Sequence, residues 1–326
     1  MGPSRTSSLR VVFLGTSAFA IPSLRTLARA TSVVAVVTQP DRPAGRGRTL
    51  TPPPVAVAAR ALRLPVWQPE SLRAAAVQAD LAALRPDLLV TVAYGKIIPP
   101  AVLALPPLGA INLHPSLLPA YRGASPIQRA IADGATATGI TVMYVSEAVD
   151  AGDIILQREV PIDPEETAGD LEARLAEEGA ALLDEAVELI AQGRAPRRPQ
   201  DHARATYTKK LTKSDGEIAW GRPAHEIVNH VRAMNPWPCA YTTWRGGLLK
   251  VWRARPGPGR GAPGEVLTVG EGGVAVAAGE GAVVLLEVQP QAGRRMSAAE
   301  FARGHPIRPG DRLGDTLASA PPQVVE

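Results

Sequence analysis

Apolar and polar positions follow two different periods along the first 190 residues. Short runs of Val, Ile and Leu alternate with longer segments in which apolar residues recur every three or four positions. Such runs are typical of strands, and the longer segments of amphipathic helices. The runs predict strands at residues 9–14, 33–38, 88–92, 110–113, 139–145 and 154–160, and the helical segments lie at 21–30, 54–62, 71–84 and 167–192.

The predicted strands are almost continuously apolar, which is typical of strands buried on both faces. Strands of this kind that alternate with helices indicate an α/β domain with a doubly wound, mostly parallel, Rossmann-like sheet. Such sheets bind ligands beyond the carboxyl ends of their strands. We therefore expect the chemistry of this domain where strands end and loops begin.

The pattern changes after residue 194. A polar, basic, Pro-containing segment at residues 195–208 is typical of a linker. Beyond it, a short helix at 224–232 precedes several short strands separated by glycines. Close spacing of short strands favours a small β-barrel of the oligonucleotide-binding (OB-like) scale. The predicted organisation is a catalytic domain at 9–194, a linker at 195–208 and a C-terminal barrel at 209–318.

Composition adds few constraints. The single cysteine, Cys239, excludes a disulfide within the chain and a multi-cysteine metal site, and we assign no metal. Residues 1–10 do not resemble a signal peptide, and no apolar run is long enough to span a membrane. A cytoplasmic monomer is expected. The net charge of +4 permits a polyanionic partner without requiring one.

The most informative stretch lies between residues 109 and 153. Asn112 and His114 stand at positions i and i+2 of a predicted strand, so both side chains point to one face. Asp150 lies in a later loop beside Gly152. An Asn that donates to a developing oxyanion, a His that donates or relays a proton, and an Asp that orients the His would suit acyl-type transfer. The spacing does not bring Asp150 to the other two. From the residues alone, a structural His with a turn-forming Asp is the more common interpretation.

The segment INLHPSLLPAYRGASPIQRAI, followed by VDAGDIIL, resembles the signature of the folate-dependent formyltransferases. In that family an Asn, a His and an Asp form the active site, and they match Asn112, His114 and Asp150. The resemblance implies 10-formyltetrahydrofolate as the formyl donor. It also implies that a folate-contacting loop corresponds to Ser116, Leu117, Leu118 and Pro119. Tyr94 and Gly95, at the end of the preceding strand, are assigned to the same cofactor-binding region.

Within the family, the branch that acts on charged tRNA is the most similar. The segments FLGTSAFAIPSL, TQPDRPAGRGRTLTPPPV, NPWPCAYT and LKVWRA all match it. This resemblance implies initiator methionyl-tRNA as the acceptor. It also implies tRNA contacts from the Arg-rich loop that holds Arg42, Arg46 and Arg48, and a basic surface that includes Lys209 and Lys210 suits the same partner.

Other functions stay open. A solvated basic loop would explain the arginines without any tRNA. A sibling enzyme could formylate a sugar amine or glycinamide ribonucleotide, and a hydrolase could release formate from the folate with the same three residues. A non-catalytic RNA-binding module would explain the basic second domain but not Asn112, His114 and Asp150. The absence of a complete G-x-G-x-x-G pattern after the first strand argues against a dinucleotide cofactor.

Overall fold

The structure is a computed structural model that describes residues 6, 8–44 and 49–314. Two compact units share the chain, and each contains more than one segment. The first unit comprises residues 1–126, 137–161 and 172–208, and the second comprises 127–136, 162–171 and 209–326. The chain therefore crosses between the units several times, whereas a single crossing was expected.

The first unit is an α/β fold, as predicted. The elements up to residue 208 run in chain order as β1 (Arg10–Gly15), α1 (Ile21–Ala30), β2 (Ser32–Val37), β3 (Arg42–Ala44), β4 (Thr49–Thr51), α2 (Pro54–Ala61), β5 (Val66–Trp67), α3 (Ala75–Ala83), β6 (Leu88–Val92), α4 (Pro100–Leu103), β7 (Ala110–His114), β8 (Arg122–Gly123), α5 (Pro126–Ala132), β9 (Ala137–Tyr144), β10 (Ile154–Pro161), α6 (Ala168–Ala191) and β11 (Tyr207–Thr208). Of these, α5 from residue 127 onward and residues 168–171 of α6 belong to the second unit.

Seven of these strands form one sheet in the order β10-β9-β7-β6-β1-β2-β5. The strands from β7 to β5 pair in parallel, while β9 is antiparallel to both β7 and β10. The prediction of a mostly parallel sheet is thus confirmed. Alternate side chains of its central strands pack against opposite layers. Leu14, Leu89 and Ala110 share a core cluster with Leu81 of α3 and Val102 of α4.

Helix ends follow local chemistry. At the start of α6, the Thr167 hydroxyl donates to Asp170 at 2.6 Å and accepts from the Asp170 backbone N–H at 3.3 Å. Gly193, with φ of 68°, follows the last turn, where a left-handed residue commonly ends a helix. The helix predicted to begin at residue 71 begins only at Ala75, and the Ser71 hydroxyl before it accepts from the Arg73 N–H in a local turn.

The second unit contains the predicted series of short strands, and they pair antiparallel. Its later elements are α7 (Ala224–Met234), β12 (Ala240–Trp244), β13 (Gly247–Gly257), β14 (Val266–Gly270), β15 (Gly273–Ala277), β16 (Ala282–Pro290), β17 (Met296–Ser297) and α8 (Ala298–Gly304). The sheet order is β12-β13-β16-β15-β14, and β17 pairs with β16.

An irregular segment at residues 310–314 bridges the two edges of this sheet. Gly310 donates a backbone hydrogen bond to Val266, the first residue of β14, and Leu313 donates to Gly264 just before it. Gly314 donates to Thr243 of β12. The sheet is therefore bridged from edge to edge by backbone hydrogen bonds, which is barrel-like.

Candidate active site

Asn112 and His114 lie at the end of strand β7, which pairs in parallel with β6 on one side and antiparallel with β9 on the other. Asn112 pairs in register with Thr91 of β6 and Met143 of β9, and His114 pairs with Thr141 of β9. Leu113, between them, packs on the opposite face, within reach of Gly179 on α6. The two polar side chains therefore share the face opposite α6, as their spacing predicted.

Asp150 is brought beside His114. The Asp150 Oδ2 atom lies 3.6 Å from His114 Nδ1, and both side chains are largely buried. The same oxygen accepts a 2.8 Å hydrogen bond from the Gly123 N–H. Asp150 Oδ1 has no hydrogen-bond partner among the residues that the structure describes, which leaves this oxygen available to a ligand.

Both ring nitrogens of His114 face oxygen acceptors. Nε2 lies 2.9 Å from the Tyr121 carbonyl oxygen, which can only accept, so this nitrogen carries a proton and donates. Nδ1 faces the Asp150 carboxylate. With Tyr121 on one side and Asp150 on the other, the imidazole is locked between the two loops that follow β7 and β9.

The Asn112 carboxamide differs from its neighbours. It is only half-buried, and its side chain makes no hydrogen bond to any of the described residues. A partly buried amide without an internal partner is expensive unless water or a ligand completes its hydrogen bonds. Asn112 therefore offers free N–H donors at the end of β7, where a sheet of this kind binds ligands.

The Asp150 loop is shaped by two unusual backbone positions. Asp150 itself has a φ of 51°, the left-handed region that residues other than glycine rarely occupy. Gly152 is buried, and a Cβ at that position would lie 1.8 Å from the Tyr144 carbonyl oxygen. Only glycine lets this loop pass so close to the end of β9.

The loop at residues 116–119 is held by buried side chains of its own. The Ser116 hydroxyl is buried and donates to the Ala120 carbonyl at 2.6 Å. Leu118 is buried with Met143 and Ile154. Leu117 and Pro119 are half-buried. Ser116 and Leu118 therefore shape this loop, and the half-buried members are the ones able to line a ligand site.

Tyr94 and Gly95 contribute backbone rather than side chain. The Tyr94 ring is in the core, and its hydroxyl has no hydrogen-bond partner among the described residues. Burial raises the pKa of this hydroxyl above its ordinary value. The Tyr94 carbonyl oxygen accepts from the Thr16 hydroxyl and the Gln39 amide at 2.8 and 2.9 Å. Gly95, at φ 78°, follows at the open end of β6. The assignment of Tyr94 and Gly95 to the cofactor-binding region stays a prediction, and in this placement it would rest on their backbone.

Sequence reasoning missed the residues that connect these loops. Arg122 and Gln200 are both buried and bonded to each other. Gln200 belongs to the segment 195–208, which was expected to be a linker and instead packs on the first unit. No periodic pattern marks Gln200, because its burial comes from tertiary contacts along an otherwise polar segment.

The arginines and lysines predicted to contact tRNA are exposed wherever the structure describes them. Arg42 is exposed on β3, which pairs with β4 in a two-stranded hairpin where only a loop was expected. Arg46 and Arg48 lie outside the described residues. Lys209 and Lys210 are exposed at the start of the second unit's C-terminal portion.

Neither a metal centre nor a membrane span is found in the described part of the chain. No group of three His, Cys, Asp or Glu residues there could hold a metal ion. Within the same residues, no helix has the length and apolar character needed to cross a membrane.

Comparison with known proteins defines the class. A family model described as formyl transferase matches residues 9–187, and one described as formyl transferase, C-terminal domain, matches 210–306. The chain belongs to the formyl transferase family.

Full-length relatives narrow this class. The chain is 48% identical to a methionyl-tRNA formyltransferase of Pelotomaculum thermopropionicum, over 95% of this chain and all of that protein. It is also 48% identical to a protein of the same name from Moorella thermoacetica, over 94% of this chain and 99% of the relative.

Among solved structures, HypX from Aquifex aeolicus in complex with tetrahydrofolic acid matches with a TM-score of 0.60 at 20% identity. The match covers 90% of this chain but only 47% of HypX, so this chain spans about half of that protein. At this identity the likeness concerns the fold alone.

Proposed function

We propose that the protein transfers the formyl group of 10-formyltetrahydrofolate to the α-amino group of methionine on initiator tRNA. The observation that carries the proposal is the assembly of Asn112, His114 and Asp150 at the end of β7, in a chain of the formyl transferase family. Its full-length similarity to proteins named methionyl-tRNA formyltransferase supports the acceptor.

Asn112 is proposed to stabilise the oxygen of the formyl group. Attack of the neutral amine on the formyl carbon places negative charge on this oxygen. An amide N–H that is already fixed on a strand and unused by the protein can donate to it without reorganisation. The free carboxamide of Asn112 meets both conditions.

Asp150 is proposed to receive the proton that the amine loses, directly or through one water molecule. Its Oδ1 is the unengaged carboxylate oxygen, while Oδ2 is held by Gly123 and faces His114. The proton must then reach the nitrogen of the departing folate, so Asp150 and a bound water molecule together would form the relay.

His114 is proposed to hold this carboxylate in place. The sequence predicted that His114 donates or relays a proton, which could include donation from Nε2 to the formyl oxygen. In the structure that donation would compete with the Tyr121 carbonyl for Nε2. The geometry favours a supporting role through Nδ1 and Asp150. No covalent enzyme intermediate is required.

The remaining assignments are part of the same proposal. The loop at 116–119 and the end of β6 at Tyr94 and Gly95 would contact the folate. Arg42, Arg46 and Arg48, with Lys209 and Lys210, would contact tRNA phosphates, for which exposed cations are suited. We propose a catalytic domain at 9–194 and a tRNA-binding domain at 209–318 in a cytoplasmic monomer without a metal.

A transfer assay separates this function from its siblings. The protein would be incubated with 10-formyltetrahydrofolate and, in parallel, charged initiator tRNA, charged elongator methionyl-tRNA, glycinamide ribonucleotide or an amino sugar nucleotide. The proposal expects formylation of the initiator tRNA well above the other acceptors. Preferential formylation of a small amine, or formate release without any acceptor, would overturn it.

A further inference from the structure

The segment at residues 195–208 touches both loops that form the candidate active site. Arg198 pairs with Ile154, just after the Asp150 loop, through two backbone hydrogen bonds of 2.8 and 3.0 Å. Thr206 accepts from the Tyr121 N–H with its hydroxyl at 2.7 Å and from the Arg122 N–H with its carbonyl at 2.8 Å. The segment therefore fastens the loop after β7 to the loop after β9.

Gln200 lies at the centre of this segment and is only 6% exposed. Its Nε2 donates to two carbonyl oxygens of the Asp150 loop, that of Asp150 at 2.9 Å and that of Gly152 at 2.8 Å. Its Oε1 accepts from Arg122 Nη2 at 2.7 Å and Nε at 3.2 Å. Every hydrogen-bonding atom of this carboxamide is thus used.

Chemistry fixes which way this amide faces. A guanidinium can only donate, so the atom that faces Arg122 must be the oxygen. The carbonyls of Asp150 and Gly152 can only accept, so the atom that faces them must be the nitrogen. Arg122 is itself buried and also donates to His202 Nδ1 at 3.0 Å and to the Tyr207 hydroxyl at 3.3 Å. It is therefore a fixed support for the Gln200 amide.

We propose that Gln200 is a positioning residue for Asp150, oriented by Arg122. Asp150 has a left-handed backbone conformation, which is less favourable for a residue with a Cβ than for glycine. Gln200 holds the carbonyl of Asp150 itself and that of Gly152, so the two bonds fix the turn that aims the carboxylate at His114. The inference rests on the proposed role of Asp150 in formyl transfer.

The first test is the pair Gln200→Met and Gln200→Glu. Glutamate keeps an acceptor for Arg122 but presents a second oxygen to the two carbonyls, whereas methionine removes both contacts. If Gln200 acts by holding the Asp150 loop, both variants lose kcat by about tenfold or more, since two buried hydrogen bonds are lost. KM for the folate should change by less than about threefold, because the ligand-lining groups are untouched. Recovery of wild-type kcat in Gln200→Glu would show that Gln200 serves only to satisfy Arg122, and would overturn the inference.

The second test repeats the substitutions in an Asp150→Asn background. A residue that acts through Asp150 adds little once that carboxylate is gone, so Gln200→Met should cost less than about twofold there. A loss as large as in the wild-type background would indicate general damage to the fold and contradict the proposal. Gln200→Glu, close in shape to glutamine, supplies the same comparison if the methionine variant does not fold.

The matched control is Gln192→Met, an exposed glutamine just after α6 whose amide bonds the surface side chains of Glu188 and Arg194. It should leave kcat within about twofold of wild type, as surface changes usually do. Absence of formyl transfer in the wild-type protein would contradict the proposed function. Normal wild-type transfer with undiminished kcat in both Gln200 variants would contradict only the role of Gln200.

Discussion

Gly152→Ala tests whether the close passage of the Asp150 loop against β9 sets the geometry of the site. Gly152 is buried two residues after Asp150. An added Cβ would lie 1.8 Å from the Tyr144 carbonyl oxygen and 2.9 Å from its carbonyl carbon. Both are backbone atoms of a strand that pairs on both sides, so no flexible side chain can yield.

The size of the displacement follows from this contact. The Cβ must move from 1.8 Å to at least 3.0 Å from the oxygen, a shift of at least 1.2 Å. Because Gln200 ties the carbonyls of Gly152 and Asp150 together, much of this shift should reach Asp150. A misplacement of about 1 Å in a reacting group can cost about 10²-fold in rate. We therefore expect kcat to fall by about two orders of magnitude.

The measurement is single-turnover formyl transfer with both substrates saturating, alongside thermal unfolding. The control is Gly272→Ala in the turn between β14 and β15, where an added Cβ has no heavy atom within 4 Å. Gly272→Ala should retain the wild-type rate. A Gly152→Ala variant that is folded and transfers within threefold of wild type would refute the reasoning, because the loop would then tolerate the shift.

Three further predictions concern other parts of the molecule. Asn112→Ala should lower single-turnover transfer by about 10²–10³-fold with unchanged unfolding temperature, because one oxyanion donor is lost; a near-normal rate would contradict that role. Arg42→Ala should weaken tRNA binding measured at fixed salt and reduce the slope of log affinity against log salt concentration by about one, as expected for a lost phosphate contact. An unchanged slope and affinity would show that Arg42 does not contact the tRNA. Burial raises the pKa of the Cys239 thiol to about 11, so it should resist a disulfide reagent at pH 8 in the folded protein and react on unfolding; rapid labelling of the folded protein would contradict its burial.

The apolar pattern predicted most of the sheet because each buried strand carries its own period. The strands at 88–92 and 110–113 correspond to β6 and β7, and the shared face of Asn112 and His114 follows from the two-residue repeat alone. The short strands β5, β8 and β11 carry two residues each, too few for any period to be read. They are determined by the partners that they meet in the folded chain.

The apolar pattern could not predict which distant residues meet at the candidate active site. Spacing along β7 contains no information about a loop that begins more than thirty residues later. That Asp150 lies beside His114 could therefore be predicted only from the family resemblance. Gln200 was missed altogether, since a polar residue between Pro199 and Asp201 is typical of an exposed connection. Its burial depends on Arg122 and on two carbonyls of the Asp150 loop, which no local pattern specifies.

The fate of the formyl group tests the central proposal most directly. Labelled 10-formyltetrahydrofolate would be mixed with an excess of enzyme and charged initiator tRNA, and both formylmethionyl-tRNA and free formate would be counted over a single turnover. The proposed function predicts that nearly every label lost from the folate is found on the methionine, and that Asn112→Ala slows this transfer without diverting it to formate. Label released mainly as formate, or a requirement for an amine other than that of methionyl-tRNA, would contradict it.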